Sequence, residues 1–206
     1  MSWWNDIWLS ESITSFLSTQ RPIVFDSNTD LTSDALVNDL WADNIPQISY
    51  TKGAAILEML DSVIGTNRMR KVLRDYVRNY QFGIATTANF LNILKDVTKD
   101  LPFDTVEFFS SWLYQGSHPI IFIDYDKEMK RFILSQTPKM GPRNIQWKIP
   151  IWIDCIVGTK RETLYWIPKN QQLILDLQNL TTSDSKDAVA FNRNKAVYYQ
   201  ISYRYK

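Results

Sequence analysis

Apolar residues recur at helical spacing through the first half of the chain. After residue 117, short alternating or β-branched runs separated by turn signals replace them. In the stretch Ser49 to Gly65, the residues Ala54, Ile56, Leu57, Leu60, Val63 and Ile64 form one helical stripe, and Gly65 stands where a helix-ending glycine belongs. A second predicted helix opens at the cap Thr66. It turns Met69, Val72, Leu73, Tyr76 and Val77 inward and leaves Arg68, Arg70, Lys71, Arg74 and Arg78 as a solvated basic face. The pattern predicts further helices over Thr87–Val97, capped by Thr86 or Thr87, and over Asp104–Tyr114, with Asp104 as N-cap and Gly116 as the stop. Beyond Ser117 to Pro119 the expected strands are Ile120–Tyr125 and Arg131–Gln136, joined as a hairpin, then Ile145–Val157, Thr163–Ile167, Leu173–Leu175 and Val197–Tyr203. The reading is an α+β chain: a helical region over 1–117 and a small antiparallel β-sandwich over 118–206.

Composition narrows the classes of function. The chain has 206 residues, 45% of them hydrophobic and 22% charged, which is the make-up of a folded domain rather than a disordered one. A net charge of +1 gives no electrostatic footprint for nucleic acid or an anionic membrane. The longest apolar runs, such as Ile149 to Val157, carry an aspartate and a proline and fall short of the roughly 20 residues that a membrane span needs. The first residues lack the basic start and apolar stretch of a signal peptide.

A search for a complete active site fails. The chain holds one histidine, His118, one cysteine, Cys155, and no H-E-x-x-H, G-x-S-x-G or glycine-rich phosphate loop. His118 stands at the junction of the two regions, and Cys155 lies in an apolar strand where thiols usually serve as packing. Taken alone, Glu11 is a carboxylate near a helix start and Tyr50 a helix-face aromatic.

Two segments change that picture: Trp3-Trp4-Asn5-Asp6-Ile7-Trp8-Leu9-Ser10-Glu11-Ser12 and Ser49-Tyr50-Thr51-Lys52-Gly53-Ala54. Together they resemble the aminopeptidase N family of zinc aminopeptidases, the gluzincins. The first resembles the family's W-W-x-D-x-W-L-N-E-G-F-A pattern, which implies Glu11 as the third zinc ligand. The second resembles its S-Y-x-K-G-A motif, which implies Tyr50 as the hydrogen-bond donor to the oxyanion. Asp104 to Ile121 and Phe191 to Tyr203 are similar to the family's helix and strand around its sandwich domain. The resemblance implies that 1–117 is the C-terminal, helical half of a thermolysin-like catalytic domain and that 118–206 is the sandwich.

The same resemblance shows what is missing. The family's two zinc histidines, its general-base glutamate and its G-x-M-E-N segment have no counterpart here, and counting back from Glu11 to the second histidine runs past Met1. The expectation is therefore an internal slice of a zinc enzyme that removes N-terminal residues from peptides. The slice by itself is expected to be inactive, with its zinc site empty. The alternative is a non-catalytic binding protein derived from such an enzyme. Ser10 and Ser12 replace the family's asparagine and glycine beside Glu11, and Val197 replaces a strand glycine. Trp3, Trp4 and Trp8 read as packing residues. Asn179-Leu180-Thr181 is a glycosylation sequon, in keeping with a parent protein at the plasma membrane or outside the cell.

Overall fold

The architecture comes from a computed structural model, which describes residues 6–19, 45–155, 161–192 and 197–204. The chain divides into two compact units. One is Met1–Tyr114 with Ala196–Tyr198, and the other is Gln115–Lys195 with Tyr199–Lys206.

The first unit is helical: α1 is Ile7–Thr19, α2 Ile45–Ile64, α3 Thr66–Tyr80, α4 Thr87–Val97 and α5 Thr105–Leu113. Helix α1 buries Leu9, Ser12 and Phe16, one face at a helical period, and α2 answers with Ala54, Ile56, Leu57 and Leu60. Gly65, at φ 86°, ends α2 with its N–H on the Asp61 carbonyl, as its position in the sequence predicts. The same glycine is the N-cap of α3, so Thr66 is the first helical residue rather than the cap. Along α3 the buried residues are Met69, Val72 and Leu73. Val77, expected inward, is 60% exposed because the last turn of the helix buries no residue. The basic face is partly paired: Arg68 binds Asp100, and Lys71 binds Asp75 one turn on. Thr86 caps α4 in a full capping box with Asn89, and the Asp104 carboxylate caps α5 by accepting from the Val106 and Glu107 N–H groups. Past α5 the left-handed residue is Ser117, at φ 64°, and not the expected Gly116.

The second unit holds β1 Pro119–Asp126, β2 Arg131–Pro138, β3 Ile149–Cys155, β4 Arg161–Ile167, β5 Leu173–Asp176, β6 Val189–Phe191 and β7 Gln200–Tyr203, with a one-turn helix α6 at Leu177–Leu180. Two sheets form, one in the order β5-β2-β1-β7 and the other β4-β3-β6. The hairpin β1/β2 pairs Pro119 with Pro138 through to Asp126 with Arg131, and its turn is tied by the Asp126 carboxylate on the Glu128 and Met129 N–H groups. Alternate residues Ile121, Ile123, Phe132 and Leu134 face the core, where Phe132 meets Phe191 of the other sheet edge to face.

One pairing departs from the antiparallel expectation. Strand β7 lies parallel to β1, Ile120 opposite Gln200, because it returns after a long excursion through the other strands and not through a hairpin. The strand expected over Ile145–Val157 is shorter, and Pro150 sits in it without a broken ladder, since β6 pairs only from Ile153 to Cys155. Strand β6 has no counterpart among the predicted strands. After it the chain does not continue as one strand to Tyr203. Asn192 leaves the ladder at φ 51°, and its own N–H and side-chain carbonyl bond the two backbone groups of Trp152. Its amide also donates to the buried Tyr199 hydroxyl, which donates in turn to the Pro150 carbonyl.

Candidate functional site

The tryptophan-rich segment begins at the foot of α1, and its described residues hold helices together. Asp6 is 7% exposed, and one of its carboxylate oxygens accepts from both the backbone N–H and the hydroxyl of Thr87, at 2.8 and 2.7 Å. Thr87 is the first residue of α4, so a carboxylate sits on a helix N-terminus whose N–H groups lack partners within the helix. The Trp8 indole N–H donates to the same Thr87 hydroxyl at 3.0 Å, and the Trp8 ring lies 6.2 Å from that of Phe109 on α5. The expected packing role of Trp8 thus has a specific form. Trp3 and Trp4 lie outside the described residues.

Helix α1 meets α2 at Ser12 and Gly53. A side-chain carbon added to Gly53 would overlap both the hydroxyl and the Cβ of Ser12, with the Trp8 ring 3.5 Å away. Only a residue without a side chain allows that approach. Glu11, one position before Ser12 on α1, is half-buried. Tyr50 lies on α2 one turn before Gly53, so the two expected site residues sit on helices in direct contact; the side chain of Tyr50 lies outside the described residues. Lys52, next but one to Tyr50, is buried with its ammonium 5.4 Å from the ring centre of Tyr198, which also packs edge-on to Trp112.

A zinc ion at Glu11 finds no matching donor set among the described residues. No group of three or more His, Cys, Asp or Glu side chains comes together there, and a single carboxylate supplies one of the four ligands that zinc takes. A groove of about 550 Å³ lined by Lys71, Asp75, Asn79, Ile93, Asp96 and Lys99 is built from α3, α4 and the loop after them, and Glu11 does not line it. Among the other residues singled out in the sequence, His118 is buried with its carbonyl accepting from the Lys139 N–H, and Cys155 is half-buried at the end of β3. Asn179 is exposed on α6, while Thr181 of the same triplet is buried. Asp6 and Gly53 make the contacts of α1 with α4 and α2, and reasoning from the sequence gave neither a role. For Asp6 the partner lies 81 positions along the chain, beyond the reach of any local pattern.

The profile of the peptidase family M1 domain matches residues 42–112, which take in α2 to α5. The chain is 24% identical to Aminopeptidase M1-C of Oryza sativa subsp. japonica and 24% identical to Tricorn protease-interacting factor F2 of Thermoplasma volcanium, with 98% of this chain aligned in each case. It is 22% identical to Aminopeptidase N of Canis lupus familiaris, again over 98% of its length. These matches make the chain similar to aminopeptidases of the M1 family, with the family profile over about a third of its residues. It spans about a quarter of the length of the relatives it matches: 26%, 27% and 24% of these three.

Proposed function

We propose that these residues belong to a zinc-dependent aminopeptidase that removes N-terminal residues from peptides, with Glu11 as its third metal ligand and Tyr50 as its oxyanion donor. The observation that carries this is the contact of two helices: the one bearing the W-L-x-E end of the first motif packs, through Ser12 and Gly53, on the one bearing S-Y-x-K-G-A. The M1 profile and the aminopeptidase relatives support it. In this reading 1–117 is the helical C-terminal half of a thermolysin-like catalytic domain and 118–206 is its β-sandwich. A phenol at position 50 donates a hydrogen bond to negative charge as it develops on the substrate carbonyl oxygen.

The 206 residues alone carry no turnover, because their one histidine cannot make the family's H-E-x-x-H. The exposed sequon at Asn179 is a glycan acceptor if the parent protein passes through the secretory route, and the reading places that parent at the plasma membrane or outside the cell. Among the described residues no helix is long and apolar enough to cross a membrane.

The test joins zinc titration by calorimetry to hydrolysis of a fluorogenic amino-acid amide. The 206-residue chain is expected to show neither tight zinc binding nor hydrolysis. In a longer polypeptide that supplies H-E-x-x-H upstream, Glu11→Ala is expected to abolish both, and Tyr50→Phe to lower kcat by about 10²- to 10³-fold with zinc retained. Full turnover by both variants sinks the roles given to Glu11 and Tyr50, whereas a longer polypeptide that shows no turnover with either residue intact leaves a binding protein derived from a peptidase.

A further inference from the structure

Helix α1 carries Glu11 between two contacts that its hydrophobic pattern does not require. At its foot, both hydrogens of Thr87 converge on one oxygen of the buried Asp6 carboxylate, and the Thr87 hydroxyl accepts from Trp8 in return. That hydroxyl is used in both directions, so its rotation is fixed. Charge-assisted hydrogen bonds of this kind are short and directional, and a buried carboxylate that loses them is left without solvation. One turn and a half further on, Ser12 sits against the bare backbone of Gly53. A single contact leaves a helix free to pivot. Two contacts on different neighbours, one before Glu11 and one immediately after it, set both its axis and its rotation.

We propose that Asp6 and Gly53 are positioning residues: Asp6 pins the foot of α1 to the first turn of α4, Gly53 sets the depth at which α1 lies on α2, and together they fix the place of Glu11. The inference rests on the reading of Glu11 as a site residue. Ser12 stands where the family pattern quoted above has glycine, so the atoms that fill the α1–α2 contact here come from α1, and position 53 has to stay empty to admit them.

The experiment uses the full 206-residue chain, with equilibrium unfolding for the balance and the Trp8 indole N–H resonance for the geometry. Gly53→Ala is expected to lower the folding equilibrium constant at least tenfold and to shift the Trp8 resonance. Gly53→Ala with Ser12→Gly is expected to bring both back towards the parent values, since it returns the lost space. Should Gly53→Ala fail to fold at all, the double variant still decides: regained folding supports the contact, and continued unfolding overturns it. Asp6→Ala and Thr87→Val are each expected to free the indole N–H to exchange and to cost at least tenfold in the folding constant, whereas Thr87→Ser keeps the resonance in place. A Trp8 resonance unmoved by Asp6→Ala, or no rescue by Ser12→Gly, overturns the proposal. None of these readouts uses zinc or turnover. Full activity of Glu11→Ala in the longer polypeptide would remove the metal-ligand reading and leave the clamp standing, while a failed rescue would remove the clamp alone.

Discussion

The helical unit and the sandwich unit solve the same problem, holding distant segments in register, by different means. In the sandwich the register follows from repetition: β1 and β2 exchange backbone hydrogen bonds from Pro119 to Asp126, and every second side chain enters the core. In the helical unit no ladder links one helix to the next. Beside the apolar face of Leu9 and Phe16, α1 is held by a few unrepeated contacts, Asp6 with Thr87, Trp8 with Thr87, and Ser12 with Gly53. A ladder loses little when one side chain changes, whereas a single polar contact has no neighbour to take its place. The region that bears the candidate chemistry is held by the second kind.

The largest expected effects are ones the two units share. Phe109→Ala and Phe132→Ala each remove a fully buried ring and are expected to cost about 3–5 kcal/mol, read by denaturant unfolding. If both fall in that range, apolar burial is not where the units differ. The comparison sharpens with the polar anchors. Asp6→Ala removes an acceptor from two buried donors of Thr87 and is expected to cost about 2–4 kcal/mol. Tyr199→Phe, in the sandwich, removes a hydroxyl shared by Pro150 and Asn192 and is expected to cost about 1–2 kcal/mol, because the strands around it remain paired. An equal loss for the two variants would break the contrast.

The Tyr199 anchor also has a pH signature. Burial pushes the phenol well above its ordinary value, while the Asn192 hydrogen bond works the other way. The folded state therefore keeps a proton that the unfolded chain releases, and stability is expected to fall as the pH rises past the ordinary phenol range. Tyr199→Phe is expected to lessen that alkaline loss, with Tyr76 and Tyr203 supplying the rest, as measured by unfolding midpoints at neutral and alkaline pH.

The smallest effect belongs to the β1/β2 turn. The Met129 N–H, with the Arg131 charge and the Glu128 N–H, holds the Asp126 carboxyl below its usual value, against the opposing effect of desolvation. Its contribution is present above the unfolded carboxylate range and lost as the pH falls through the lower folded value. Asp126→Asn is expected to flatten the acid limb of the stability profile slightly, through a small loss at neutral pH and none in acid. A marked loss at neutral pH would mean that the hairpin, too, depends on a single contact.

The sequence by itself determined most of the local structure. Helical periodicity and capping residues marked α2, α4 and α5 to within a few positions, since a cap such as Asp104 and the N–H groups it serves lie within one turn. The β1/β2 hairpin was legible for the same reason. The Glu11 and Tyr50 segments were legible through their likeness to a family, not through periodicity. Tertiary structure decided the rest. Gly65 rather than Thr66 caps α3 because the chain reverses there with positive φ. Strand β7 lies parallel to β1, and β6 is a strand at all, only because distant partners are present to pair with them. Asp6 finds its role on a helix 81 residues away, and Gly53 finds its role in the hydroxyl of Ser12. Periodicity records which face of an element is buried, but the partner it is buried against, and at what depth, is fixed by atoms that meet only once the chain has folded.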